Sequence, residues 1–208
     1  MNIICGPKND QRTVTITLPQ NKSRIGVLVS GGLDSAILYY LLLLENKLRS
    51  NIHEILPITV MRKEGSKYFS SLVIGHVNQA FQIPYTDPLI VGDNTLPEEE
   101  QVKSGVNQAL TQGFDIVYAG VIEQLPQHMV NWQPIPSKET TKFKIPFQSI
   151  NKSHIIDMII KFKQEPLFYI THSCSGEQSQ VGRCNGCNGC NERNWGFDQL
   201  NLIDPGTI

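Results

Sequence analysis

Ser30-Gly31-Gly32-Leu33-Asp34-Ser35 lies between Ile25-Gly26-Val27-Leu28-Val29 and an apolar run over residues 36–44. A short apolar run, a pair of glycines and a helix-like run are how a chain turns sharply at the end of a buried strand and offers backbone amides to an anion. Residues 25–29 are apolar throughout, which predicts a strand at the centre of a sheet covered on both faces. The expected fold is therefore α/β, a mainly parallel sheet flanked by helices. Beyond the glycines, Asp34 or Ser35 can cap a helix running to about Lys47. Nearly every position of that helix is apolar, as a buried crossover helix requires.

Outward from this unit the alternation repeats. Glu54-Ile55-Leu56-Pro57-Ile58-Thr59-Val60 reads as a strand, and residues 67–81 as a helix with Leu72, Val73, Val77, Ala80 and Phe81 on its inner face. Pro88-Leu89-Ile90-Val91 is a third strand, followed by a helix that opens at Leu96-Pro97-Glu98-Glu99-Glu100 and stops at Gly113. Phe114-Asp115-Ile116-Val117-Tyr118-Ala119-Gly120 is the fourth, with Gly120 placed where backbone can approach a ligand. Residues 121–145, with prolines at 126, 134 and 136, break the pattern and read as a lid, a binding loop or a disordered segment. A helix over 152–163 then presents Ile155, Ile156, Met158, Ile159 and Phe162 on one face. At the other end, Thr13-Val14-Thr15-Ile16-Thr17-Leu18 alternates like an edge strand. Three segments follow: an N-terminal extension over 1–23, an α/β domain over 24–150, and a helical C-terminal subdomain over 151–208 that holds the cysteines.

The 208 residues suffice for one well-buried core. A formal net charge of -1 lacks the basic excess of a generic nucleic-acid surface, so no direct nucleic-acid binding is expected. The first residues lack the basic and apolar regions of a signal peptide, and no stretch approaches the roughly 20 apolar residues of a membrane span. Four of the five cysteines crowd together, which without an export signal reads as metal ligation in a reducing, cytoplasmic setting.

The chemistry lies in two places. The loop is not a Walker motif, because no lysine follows the glycines. Gly31 and Gly32 let amides turn toward one anion, Ser30 and Ser35 add hydroxyl donors, and Asp34 makes sense as a magnesium ligand bridging to phosphate or as a helix cap. Such a loop suits pyrophosphate; the plain alternative is a glycine turn capped by Asp34. The second place is Cys174, Cys184, Cys187 and Cys190, with Gly186 and Gly189 permitting tight turns between the last three. Four sulfurs suit tetrahedral Zn²⁺ at about 2.3 Å in a closed, structural site, an iron–sulfur cluster being the competitor. Cys5 reads as a plain thiol. His53, His76, His128, His154 and His172 are scattered, and only His172 adjoins a cysteine ligand. Glu123 suits a base edge or solvent. Trp132 suits a purine-like ring or a hydrophobic plug. Arg62, Lys63, Lys138 and Lys142 suit a phosphate, a carboxylate or plain solvent.

The hexapeptide after a buried strand resembles the pyrophosphate loop of the ATP pyrophosphatase (PP-loop) superfamily, with its adenine nucleotide alpha hydrolase-like fold. Its members adenylate a carboxylate, amide or base and let a nucleophile displace AMP. The resemblance implies that residues Ser30, Gly31, Gly32, Leu33, Asp34 and Ser35 bind ATP, with Asp34 and Ser35 at the catalytic centre. Thr171-His172-Ser173-Cys174, Cys184-Asn185-Gly186-Cys187-Asn188-Gly189-Cys190, Arg193, Gly196-Phe197 and Asp204-Pro205 are similar to the C-terminal signature of the 7-cyano-7-deazaguanine synthase (QueC-like) family. Pro146-Phe147 and Lys152 resemble the segment before it. That likeness implies ATP, Mg²⁺ and Zn²⁺, a 7-carboxy-7-deazaguanine substrate with ammonia, conversion through an amide to the nitrile, and a homodimer. The middle departs from the family: Thr59-Val60-Met61-Arg62-Lys63-Glu64-Gly65 replaces a Tyr-Gly-Gln-type segment, and Val121-Ile122-Glu123-Gln124 a Tyr-Pro-Asp-Cys-Arg one. An ATP pyrophosphatase amidating or thiolating another carboxylate or a tRNA base, and a non-catalytic zinc-braced protein, stand as alternatives.

Overall fold

The computed structural model describes residues 1–61, 66–93, 95–96, 98–123, 138–174 and 183–206. The chain opens with an antiparallel hairpin, β1 (Asn2–Cys5) on β2 (Arg12–Thr15). Its alternation sends Ile3, Cys5 and Val14 into the main hydrophobic core, with Ile16 and Leu18 beyond the second strand. The strand expected over 13–18 is thus shorter than its pattern and has a partner at residues 2–5. Four residues of alternation there were too few to read.

The elements β3 (Arg24–Leu28), α1 (Leu33–Leu48), β4 (Glu54–Val60), α2 (Ser66–Ala80), β5 (Leu89–Val91), α3 (Glu98–Thr111) and β6 (Ile116–Ala119) then alternate as the sequence predicts. β7 (Phe143–Lys144) lies within the stretch expected to be irregular, its two residues too short for any periodicity to register. Among the described residues these strands form a five-stranded sheet, order β5-β4-β3-β6-β7, in which every pair is parallel. Period-2 geometry turns Ile25 and Val27 toward the core that holds α1, and Leu28 toward the one that holds Val106 and Ala109 of α3. Covered on both faces, β3 is central. The winding reverses between β3 and β6, which is where the loops at the carboxyl ends of strands part and leave a crevice.

Two side-chain expectations change. The inner face of α2 is Ser70, Val73, Ile74, Val77 and Asn78, whereas Leu72 is 38% exposed and Ala80 faces solvent. The buried set follows i, i+3, i+4, i+7, i+8, so the helix is rotated toward two polar residues, with Asn78 satisfied by Tyr39 Oη at 2.7 Å. Residues 124–137, which include Pro126, His128, Trp132, Pro134 and Pro136, and the pair Arg62 and Lys63 lie outside the described residues.

Three helices finish the fold: α4 (Lys152–Lys161), α5 (Leu167–Ile170) and α6 (Asn188–Asp198). Asn151 caps α4 by accepting from the Ser153 amide, and Ile155, Ile156, Met158 and Ile159 are buried as expected. The hairpin, α1, α4 and α6 share one core through Ile3, Ile37, Ile156 and Phe197. No described helix is long and apolar enough to cross a membrane.

Candidate functional site

The loop after β3 stands at the crevice. Gly31 has φ +89, and a Cβ there would lie 2.5 Å from Phe69 Cβ, so both its conformation and its surroundings exclude a side chain. The Ser30 amide donates to Ser35 Oγ at 3.1 Å, and Ser35 Oγ donates to the Gly32 carbonyl at 3.1 Å. The serines thus fasten the loop to itself. Gly32, not Asp34 or Ser35, is the N-cap of α1, and no side chain caps it. Ser35 is bent back to the Gly32 carbonyl and Asp34 is drawn elsewhere, so neither capping expectation holds. A 16-residue helix whose first turn has no side-chain cap presents amides and the positive end of its dipole at the crevice. Gly120 makes the close approach its position suggested, but to the loop: a Cβ there would lie 2.8 Å from the Asp34 carbonyl carbon and oxygen.

Asp34 is held by Lys152, whose Nζ donates to Oδ1 at 2.7 Å and Oδ2 at 2.6 Å, and which also meets Glu192 Oε2 at 3.1 Å. The ammonium side chain is 3% exposed, against 22% for Asp34 and 18% for Glu192. Burial alone would lower the Lys152 pKa, but the two carboxylates outweigh it and hold the lysine above its ordinary value, so the cation persists. Burial raises Asp34; Lys152 opposes this, and the balance is upward, as expected of two acids sharing one base. Both carboxylate oxygens of Asp34 are thus taken up by the Lys152 ammonium in this structure.

The four cysteines come together. Their sulfurs all lie within 4.8 Å of one another, with Cys187 and Cys174 3.9 Å apart. Metal–sulfur bonds of about 2.3 Å at tetrahedral angles place sulfurs about 3.8 Å apart, so the donor set fits a closed four-thiolate Zn²⁺ site. Cys174 and Cys190 are buried, and burial, followed by the hydrogen bond to Cys187, pushes the Cys190 thiol up to about 12. A cation is what makes a thiolate affordable there. The turn between Cys184 and Cys187 is taken by Asn185 at φ +56, while Gly189 lies against the Ser173 carbonyl, where a side chain has no room. The glycines were expected to supply the turns; one instead supplies space.

Behind the cysteines, Arg193 is 0% exposed and binds Asp204 through Nε at 2.7 Å and Nη2 at 3.0 Å. It also donates to Thr171 Oγ1 at 3.0 Å and the Phe168 carbonyl at 2.6 Å. Arg183 donates to the same carboxylate. His172 stacks on Phe69, centroids 4.2 Å apart and planes 9° off parallel, and its amide donates to the Gly31 carbonyl at 2.9 Å. Glu123 pairs with Arg12 at 2.7 Å while its side chain stays partly open to solvent. Lys138 and Lys142 are exposed. Cys5 is buried with its thiol pushed up to about 11, mainly by desolvation, and is inert.

Lys152 and Glu192 are the site residues that sequence reasoning misses. A signal for the first was present: 152, 155, 156 and 159 share one face at i, i+3, i+4 and i+7, so the packing that buries the isoleucines buries the lysine. A model of the family described as queuosine biosynthesis protein QueC matches residues 97–201. The matched span holds Lys152, the four cysteines, Glu192 and Arg193, and leaves the loop over 30–35 outside it. No curated protein matches the chain.

Proposed function

The chain belongs to the QueC family of queuosine biosynthesis proteins, and on that premise we propose that it is an ATP-dependent carbon–nitrogen ligase converting 7-carboxy-7-deazaguanine and ammonia to 7-cyano-7-deazaguanine. A carboxylate oxygen attacks the α-phosphorus of ATP and expels pyrophosphate. Ammonia adds to the acyl carbon of the adenylate, AMP leaves with the oxygen, and the amide forms. In a second round the amide oxygen attacks another ATP, and loss of AMP with the two nitrogen-bound protons leaves the nitrile.

The loop over residues 30–35 holds the departing pyrophosphate on its backbone amides and on the positive end of α1. Lys152 supplies the compensating charge, released from Asp34 as the phosphate arrives. Catalysis of this kind is positioning plus charge stabilisation. Cys174, Cys184, Cys187 and Cys190 would hold Zn²⁺, which cross-links the tail and offers no open position for chemistry. Deazapurine carboxylate, ammonia and a second copy of the chain are the proposed partners, in a cytoplasmic setting where the thiols stay reduced.

One observation carries the reading: an uncapped helix start at the crevice of a parallel sheet, with a buried ammonium bonded into the same loop. Mass analysis of products from ATP, ammonium and 7-carboxy-7-deazaguanine tests it, with the nitrile expected. Pyrophosphate exchange driven only by some other acid would transfer the chemistry to another carboxylate or a tRNA base. Failure to bind ATP would leave a non-catalytic zinc-braced protein.

A further inference from the structure

The segment that carries the first cysteine of the cluster also touches the phosphate loop. Two residues before Cys174, the His172 amide donates to the Gly31 carbonyl at 2.9 Å, and the His172 ring stacks on Phe69, the residue that walls in Gly31. A peptide unit is planar, so fixing the Gly31 carbonyl also fixes the direction of the Gly32 N–H, one of the donors an anion would use. A second connection leaves the cluster through α6. Cys187 is its N-cap, Cys190 lies in its first turn, and Glu192, two residues on, meets Lys152 at 3.1 Å, which in turn binds Asp34 of the loop. Gathering Cys174, Cys187 and Cys190 onto one ion sets the ends of both connections at once.

We propose that metal binding at the cysteine cluster and phosphate binding at the loop are thermodynamically coupled, with Glu192 and the Phe69–His172 pair as positioning residues between them. The cluster is then part of the nucleotide site's organisation as well as a brace for the tail. This rests on the phosphate-loop reading above. Coupling between sites is reciprocal: if bound zinc orders the loop for ATP, bound ATP tightens zinc by the same factor.

The test measures the zinc dissociation constant of the full chain against a competing chelator, with and without saturating ATP and magnesium. ATP binding to the zinc-loaded protein is measured separately by equilibrium dialysis. ATP should tighten zinc about tenfold, within the usual range of coupling between sites. Zinc chelation by ATP itself acts in the opposite direction and does not mimic the result. Glu192→Gln, which keeps shape and removes charge, should cut the factor to about threefold, and together with Phe69→Leu to about one, with zinc affinity in the absence of ATP kept within about twofold. Glu192→Asp should restore coupling, which a merely structural role would not require. If ATP binds and zinc affinity does not change, the coupling is wrong and the loop reading survives; if the double variant keeps the full factor, the positioning role of Glu192 and the Phe69–His172 pair is wrong. If zinc-loaded protein does not bind ATP, both fall.

Discussion

Lys152 and Arg193 are both withdrawn from water, at 3% and 0% exposure, yet the regions around them are built differently. Arg193 spends its donors on one carboxylate, a hydroxyl and two main-chain carbonyls, and that carboxylate, Asp204, is itself 3% exposed and also bound by Arg183 and the Gly206 amide. Nothing in this set is replaceable without leaving a buried group unpaired. Lys152 divides its charge between two acids that water still reaches, at 22% and 18% exposure, beside a loop shaped for an anion. An arginine fork bound by fixed partners locks a tail; a lysine point charge shared between partly hydrated carboxylates is free to change partner.

The sharpest way to break this contrast is Arg193→Ala, which takes two charged hydrogen bonds from Asp204 and removes the donor to the Thr171 hydroxyl and the Phe168 carbonyl, and should cost about 3–5 kcal/mol of stability, read as a lowered denaturant midpoint. Lys152→Met should instead lower ATP–pyrophosphate exchange by about 10²–10³, the usual worth of a buried charge-stabilising group, while cooperative unfolding persists because water can reach Asp34 and Glu192. If the first variant lost only activity and the second only stability, the two roles would have to be exchanged. Gly120→Ala pushes a methyl carbon into the Asp34 backbone and should reduce exchange about tenfold, since displacements of this size at a positioning contact act on geometry alone. The mildest probe is acid. Burial favours a high pKa for Asp204, but Arg193 and Arg183 outweigh it and hold the carboxyl below its ordinary value. A folded value below the unfolded one gives stability fully present above about pH 4 and lost as pH falls through the folded value. Stability followed from pH 6 downward should decline in that window, and the Arg193 variant should show a flatter curve.

Much of the sheet and the convergence of the cysteines could be read directly, because the signals there are local. Residues 25–29 announce a central strand, Ser30 to Ser35 a turn, and the cysteine spacing a metal centre whose sulfurs do converge. What escaped was non-local or disguised. The partner that holds Asp34 comes 118 residues later, and nothing in the sequence around either residue names the other. The helix α6, NGCNERNWGFD, has too few apolar residues to show a face, since what it buries is Cys190, Arg193, Gly196 and Phe197. Its burial comes from an ion pair and a cluster of sulfurs, which hydropathy periodicity does not register.

The Asp34–Lys152–Glu192 chain also bears on time. A chain made from its amino end completes β3, β4 and β6, and the loop between them, while the loop's counter-charge is still unmade, and Arg193 has no acid until Asp204 follows 11 residues later. Long-range closures come late in folding. The loop over residues 30–35 is therefore among the first parts of this protein to be synthesised and among the last to become electrostatically complete: a chain interrupted before α4 holds its sequence without Lys152, and one interrupted before α6 holds the Asp34–Lys152 pair without Glu192.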